Sequence, residues 1–365
     1  MNPTKKDFQL AKIFLNHSLQ LKSKEKLLIT SSDNYATPLV KAVYIEALKL
    51  GAYPLVEMQT DFSYQFFQLA NNWQLNYIPK EILEARVNWP DAYVRIVAEK
   101  NIKELNQIPK EKLLLRSKLL RPYSDKMIDK DRWILTDYPT PAMAQEAGVS
   151  LDWLMDFYYR ACLVDYEKMK KQLIKIEKIL DKGKRVRIIG EKTDLSFSIE
   201  GRLAQAAYGE RNIPDGEVFL APLHLTTEGY IYFDMPSSIY SSDVSGIYLE
   251  FKKGKVVKAR ANIGNESLQK IIETDNGARY LGELGIGANY EIKNAMKNTL
   301  FDEKIGGTIH LALGRSYKEK HGGAPQGGNE SAIHWDIVKD MRKKGSVLYV
   351  DGKPLLKEGK LINNL

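Results

Sequence analysis

The stretch "DKGK", Asp181–Lys184, separates two kinds of sequence. Before it, short strand signals alternate with helical ones. "KLLIT" (Lys26–Thr30), "YPLVEM" (Tyr53–Met58), "AYVRIVA" (Ala92–Ala98) and "RWILTDYP" (Arg132–Pro139) read as strands. Phe8, Ala11, Leu15 and Leu19 form a helical stripe, and Pro38–Leu50 reads as a helix with proline near its start and Gly51 beyond its end. This βα rhythm predicts an open, mostly parallel sheet with helices on its faces. After "DKGK" come "RVRIIG", "DLSFSIEG", "EGYIYFDM" and "GIYLEFKKGKVVKARA", all strand-like. The last reads as a hairpin turning at Lys253-Gly254. One helix is expected over about 265–274. The expected fold is therefore an α/β N-terminal domain, 1–182, followed by a β-rich α+β domain, 183–365.

Composition narrows the function. The chain has 365 residues, enough for two cores. No apolar run approaches the length of a transmembrane helix, so a membrane partner is not expected. "MNPTKKDFQLAKIF" carries lysines without a following apolar run, which argues against a secretory signal and for a cytoplasmic setting. The single cysteine, Cys162, excludes an internal disulfide. It lies in a helical stripe with Leu151, Leu154, Met155, Tyr158 and Tyr159, so it reads as a buried thiol rather than a nucleophile. The net charge is +8, and the lysine-rich run Tyr166–Arg187 interleaves Met169, Leu173, Ile176 and Ile179 at helical period. Glutamates are mixed in, so the run reads as a solvated helix face and not as a nucleic-acid patch.

The candidate chemistry lies almost wholly in the second half. In "SAIHWD" (Ser331–Asp336), an extended backbone would point His334 and Asp336 the same way. Such a pair suits a divalent ion or proton transfer. It follows "HGGAPQGGNE" (His321–Glu330), read as a glycine-rich mobile loop. "NIPDGEVFLAP" places Glu217 after a turn and at the mouth of a strand; alone, it would read as an exposed turn glutamate. "GARYLGELGIGAN" holds Glu283 between Gly282 and Gly285, where glycines permit close backbone approach. Its spacing is not that of a nucleotide loop. "LFDEKIGGTIHLALGRSY" offers Glu303, His310 and Tyr317, with His310 in what reads as a buried strand. A lone histidine there would usually be a satisfied core residue. Taken together, several carboxylates, two histidines and a tyrosine without a cysteine cluster suit two divalent ions sharing a carboxylate, with Glu283 as the candidate bridge. Zinc, cobalt and manganese all fit mixed oxygen and nitrogen donors.

These four motifs, in this order, resemble the M29 family of metalloaminopeptidases, the aminopeptidase T and aminopeptidase S group. The resemblance covers about 185–341. It extends more loosely to the N-terminal half, where "SLQLKSKEKLLI" (Ser18–Ile29) looks like the family's opening helix and strand. It implies a dimeric cytoplasmic exopeptidase that removes N-terminal residues from peptides with a free N-terminus, using two divalent ions. It implies metal-ligand roles for Glu217, Glu283, His310, His334 and Asp336. Tyr317 falls on a site tyrosine that contacts metal or substrate, and Glu303 falls in an acidic motif as a ligand or a proton shuttle. The rival expectations are another two-metal amide or ester hydrolase, and a non-catalytic peptide-binding protein on the same scaffold.

Overall fold

"KLLIT" opens a parallel sheet in the computed structural model, which describes residues 2–239, 242–317 and 328–362. Strands β1 (Lys26–Ser31), β2 (Tyr53–Met58), β3 (Ala92–Val97) and β4 (Trp133–Asp137) lie in the order β2-β1-β3-β4, every pair parallel. The central strand β1 is buried from Leu27 to Ser31, as a strand covered on both faces must be. The helix Thr37–Lys49 has Pro38 in its first turn and buries Leu39, Val40, Val43 and Ala47. This first unit comprises Met1–Leu163 and also Gly209–Pro214. The latter segment runs along the edge of β4, where the Leu135 N–H donates to the Arg211 carbonyl at 2.8 Å. Cys162 is fully buried, and burial pushes its thiol well above the usual range.

The second unit comprises Val164–Tyr208 and Asp215–Leu365. The helix Tyr166–Lys182 groups with it, so this division falls ahead of "DKGK". Leu173, Ile176 and Leu180 of that helix belong to the core of the second unit, which is why the helix travels with it. In chain order the strands are β5 (Arg185–Gly190), β6 (Thr193–Ser198), β7 (Gln205–Ala207), β8 (Glu217–Leu220), β9 (Glu228–Phe233), β10 (Ser237–Ile239), β11 (Ser242–Val244), β12 (Ile247–Lys252) and β13 (Lys255–Arg260). After the helix Asn265–Ile272 come β14 (Leu281–Gly287), β15 (Thr308–Gly314), β16 (His334–Asp340), β17 (Val347–Val350), β18 (Lys353–Lys357) and β19 (Lys360–Leu361). The hairpin β12–β13 turns at Lys253 and Gly254 with φ of +50° and +80°, the mirror-image turn that matches strand twist.

Two large sheets result. One has eight strands in the order β13-β12-β9-β6-β5-β17-β18-β19; the other has five, β16-β15-β14-β8-β7, and all its pairs are antiparallel. Alternation assigns each side chain of the five-stranded sheet to a face. Val218, Leu220, Leu284, Ile286, Ile309, Leu311, Leu313, Trp335 and Ile337 point into the core. The alternate positions carry Glu217, Glu283, His310, His334 and Asp336. A β-bulge between Leu281 and Glu283 makes this possible on β14. Leu281 pairs with the core residue Leu313, whereas Glu283 pairs with Ala312 on the opposite face. Were Gly282 paired in regular alternation instead of bulged, both would share one face.

No helix among the described residues is long and apolar enough to cross a membrane. Most of the "HGGAPQGGNE" loop, 318–327 with its neighbours, lies outside the described residues; Gly328 to Glu330 lie within them.

Candidate metal centre

The face of the five-stranded sheet opposite the core collects all seven residues singled out from the sequence. Glu217 opens β8 and is buried, not an exposed turn glutamate. His310, on β15, is fully buried; its Nε2 lies 3.2 Å from Glu283 Oε1 and 3.5 Å from Glu217 Oε2. His334 and Asp336 do converge from β16, with Nε2 and Oδ1 3.4 Å apart. His334 Nε2 also lies 3.7 Å from Glu283 Oε2, so each oxygen of Glu283 faces one histidine. Glu303 follows the short helix Thr299–Asp302. The ring of Tyr317 stands 4.9 Å from that of His334 and 5.7 Å from that of Phe219. Tyr317 is 44% exposed as a residue, while its phenolic end sits among the carboxylates.

Backbone details aim these groups. His334 Nδ1 donates to the Arg315 carbonyl at 2.6 Å, which leaves Nε2 facing the cluster. The His310 ring lies against the α-carbon of Gly285, its partner across the β14–β15 ladder. Asn329 ties the start of β16 to its surroundings. Its Nδ2 donates to the Gly277 carbonyl at 2.7 Å and the Gly314 carbonyl at 2.6 Å. Asp275 accepts from the Ser331 hydroxyl at 2.8 Å and the Ala332 N–H at 2.7 Å, just ahead of His334.

One functional group was not singled out from the sequence. Lys304 is fully buried and donates to Glu217 Oε1 at 2.8 Å and to Glu303. In "DEKIGG" it reads as one more charge in a polar turn, and only its place just before a buried strand distinguishes it.

The electrostatics follow from burial. Burial raises the carboxyls of Glu217 and Glu303, against the opposing charge of Lys304. Burial also raises Glu283, against the hydrogen bond from His310. Burial pushes Asp336 upward too, but the neighbouring charge of His334 outweighs it and holds the carboxyl well below the usual range. Burial disfavours the protonated histidines. Their carboxylate neighbours win, and push His310 up to about 9 and His334 up to about 10. Lys304 also loses solvation, yet Glu217 and Glu303 hold it well above its ordinary value.

The donor set fits divalent ions. Two triads, Glu283–His334–Asp336 and Glu303–His310–Asp336, have ligand atoms within 4.8 Å of one another and share Asp336. Five buried atoms here have no hydrogen-bond partner: Glu217 Oε2, Glu283 Oε2, His310 Nδ1, His334 Nε2 and Asp336 Oδ1. Buried polar groups are seldom left so. A small cleft lined by Ser237, Ser238, Lys297 and Thr299 opens onto Glu303 and Asp336.

An α/β unit and a β-rich unit with a buried carboxylate–histidine cluster define a protein with a candidate divalent-metal centre. The sequence profile described as "Thermophilic metalloprotease (M29)" matches residues 5–361, and the chain belongs to that family. It is 35% identical over 198 residues to aminopeptidase T of Thermus thermophilus, an alignment covering 47% of this chain and 48% of that protein. The matched stretch thus spans about half the length of that relative. Its fold is similar to the solved structure of wild-type AmpT from Thermus thermophilus, with a TM-score of 0.83, 24% identity and coverage of 98% and 99% of the two chains. It is also similar to a 2,5-dihydroxypyridine dioxygenase from Pseudomonas putida KT2440, with a TM-score of 0.67, 15% identity and coverage of 99% of each chain. Both likenesses speak to the fold alone, and the second shows that the fold does not choose the reaction.

Proposed function

We propose that this chain is a metal-dependent aminopeptidase that removes N-terminal residues from peptides at a centre of two divalent ions. The observation that carries the reading is the set of five unpartnered buried atoms, contributed by β8, β14, β15 and β16 to one face. Glu217, Glu283, His310, His334 and Asp336 would hold the ions, zinc, cobalt or manganese. When bound, such a pair makes water nucleophilic near neutral pH and polarises the scissile carbonyl. Glu283, whose two oxygens face the two histidines, and Asp336, common to both triads, are the carboxylates that the two ions would share.

The chain's own residues supply the rest. Glu303, its carboxyl raised by burial, accepts the proton of the attacking water and passes it to the leaving amine. The phenol of Tyr317 stays protonated among the carboxylates and donates to the developing oxyanion. The carboxylate-rich face holds the free α-amine, which positions the first peptide bond. The dimeric, cytoplasmic form expected from the sequence belongs to the same proposal.

The test uses a pentapeptide and its N-acetylated form. Time-resolved mass spectrometry should show loss from the N-terminus only, and strong chelators should abolish it. The acetylated peptide should be cleaved at least about 10²-fold more slowly, a barrier difference of roughly 2.7 kcal/mol. Equal turnover of both forms, or internal fragments appearing first, would replace this reading with an amidase or endopeptidase.

A further inference from the structure

Lys304 has no evident task in peptide hydrolysis, yet its ammonium bonds to the carboxylates of the cluster and it is wholly removed from water. An isolated buried ammonium is costly, and here it is held by two buried carboxylates, Glu217 and Glu303, with the charge of Asp215 beside them. Its contacts are selective. It donates to Oε1 of Glu217 at 2.8 Å and to Oε1 of Glu303. Oε2 of Glu217 receives no donor and lies 3.5 Å from His310 Nε2. One oxygen of Glu217 is thus committed and the other open.

We propose that Lys304 is a resident cation of the site: it holds Glu217 and Glu303 in place ahead of metal binding, and leaves Glu217 a single oxygen to offer an ion. This rests on the metal-centre reading above. It makes Lys304 a positioning residue, and two signed consequences follow. Without its ammonium the carboxylates repel one another most when no ion is bound, so loss of Lys304 destabilises the stripped protein more than the loaded one. Without its hydrogen bond Glu217 turns both oxygens inward, so the coordination number rises.

The experiment compares the full-length wild type with Lys304→Met, each stripped by chelator and loaded with Co2+. The melting temperature gained on loading should be larger in the variant by at least about 4 °C. Its visible Co2+ absorption should be weaker by about twofold, the direction of a higher coordination number. Equal lowering of both forms with an unchanged Co2+ spectrum would reduce Lys304 to packing and overturn the proposal while leaving the metal centre intact. A wild type that takes up no Co2+ would remove both. Should Lys304→Met not fold, infrared difference spectra of the wild type on Co2+ addition, compared with Glu217→Gln, read the same carboxylate directly. A one-oxygen contact is expected, and a two-oxygen contact would overturn the proposal.

Discussion

His310 and Gly285 are in contact across the β14–β15 ladder: a β-carbon at Gly285 would fall 2.0 Å from Cε1 and 2.1 Å from Nε2 of the imidazole. Glycine is therefore required for side-chain room, since its own backbone is not left-handed. Gly285→Ala forces the ring off Glu283 and costs about 1–3 kcal/mol of stability through overpacking. Turnover should fall with it, and denaturant melts alongside metal analysis of the purified variant check both. Normal metal content with normal stability would show that the ring has room elsewhere.

Asp275 sits outside the cluster but pins the chain just before His334. Burial pushes its carboxyl up, but the Ala332 N–H, Ser331 hydroxyl and Ala278 N–H outweigh it and hold it below the usual range. A depressed folded value contributes stability above the unfolded value of about 3.9, and that contribution is lost as pH falls through the folded value. Wild type should exceed Asp275→Asn by about 1–2 kcal/mol at pH 7. The difference should vanish at more acid pH. A constant gap across that range would show that the carboxylate charge is not what acts.

Glu303 and Asp336 should separate proton transfer from metal holding. Glu303→Gln is expected to keep its ions and lose at least about 10²-fold in turnover. Asp336→Ala is expected to lose ions from both triads, because both use it. Atomic absorption of each variant decides. An ion missing from Glu303→Gln would make Glu303 a ligand.

Cys162 is buried beside Tyr158, and burial raises its thiol. Cys162→Ser should retain turnover while losing about 1–2 kcal/mol of stability, the cost of placing a hydroxyl in an apolar site. A thiol reagent should label the wild type only after unfolding. Rapid labelling of the folded protein would contradict the burial.

The parallel strands and the β-rich second half were legible because both rest on short-range signals: apolar runs, proline at a helix start, and Lys253-Gly254 at a hairpin. The convergence of His334 and Asp336 was legible for the same reason, as a period-two argument. Glu283 was not. Strict alternation from Leu281 would have sent it into the core, and only the bulge at Gly282 turns it toward the histidines. That bulge depends on pairing with β15, distant in sequence. Lys304 was hidden because a charged turn and a buried ion pair look alike until the partners, Glu217 above all, are in place.

Asn329 has a further meaning. The Arg315 N–H donates to the Ile333 carbonyl, the Ser316 N–H donates to the Asn329 carbonyl, and the Asn329 side chain closes onto Gly277 and Gly314. The two ends of the connection from Tyr317 to Gly328 are thus stapled together at its base. Chain length between the staples becomes an almost free variable, because closing a longer excursion adds only about 0.6 kcal/mol for each doubling. Insertions or deletions between Tyr317 and Gly328 should therefore leave the melting temperature nearly unchanged.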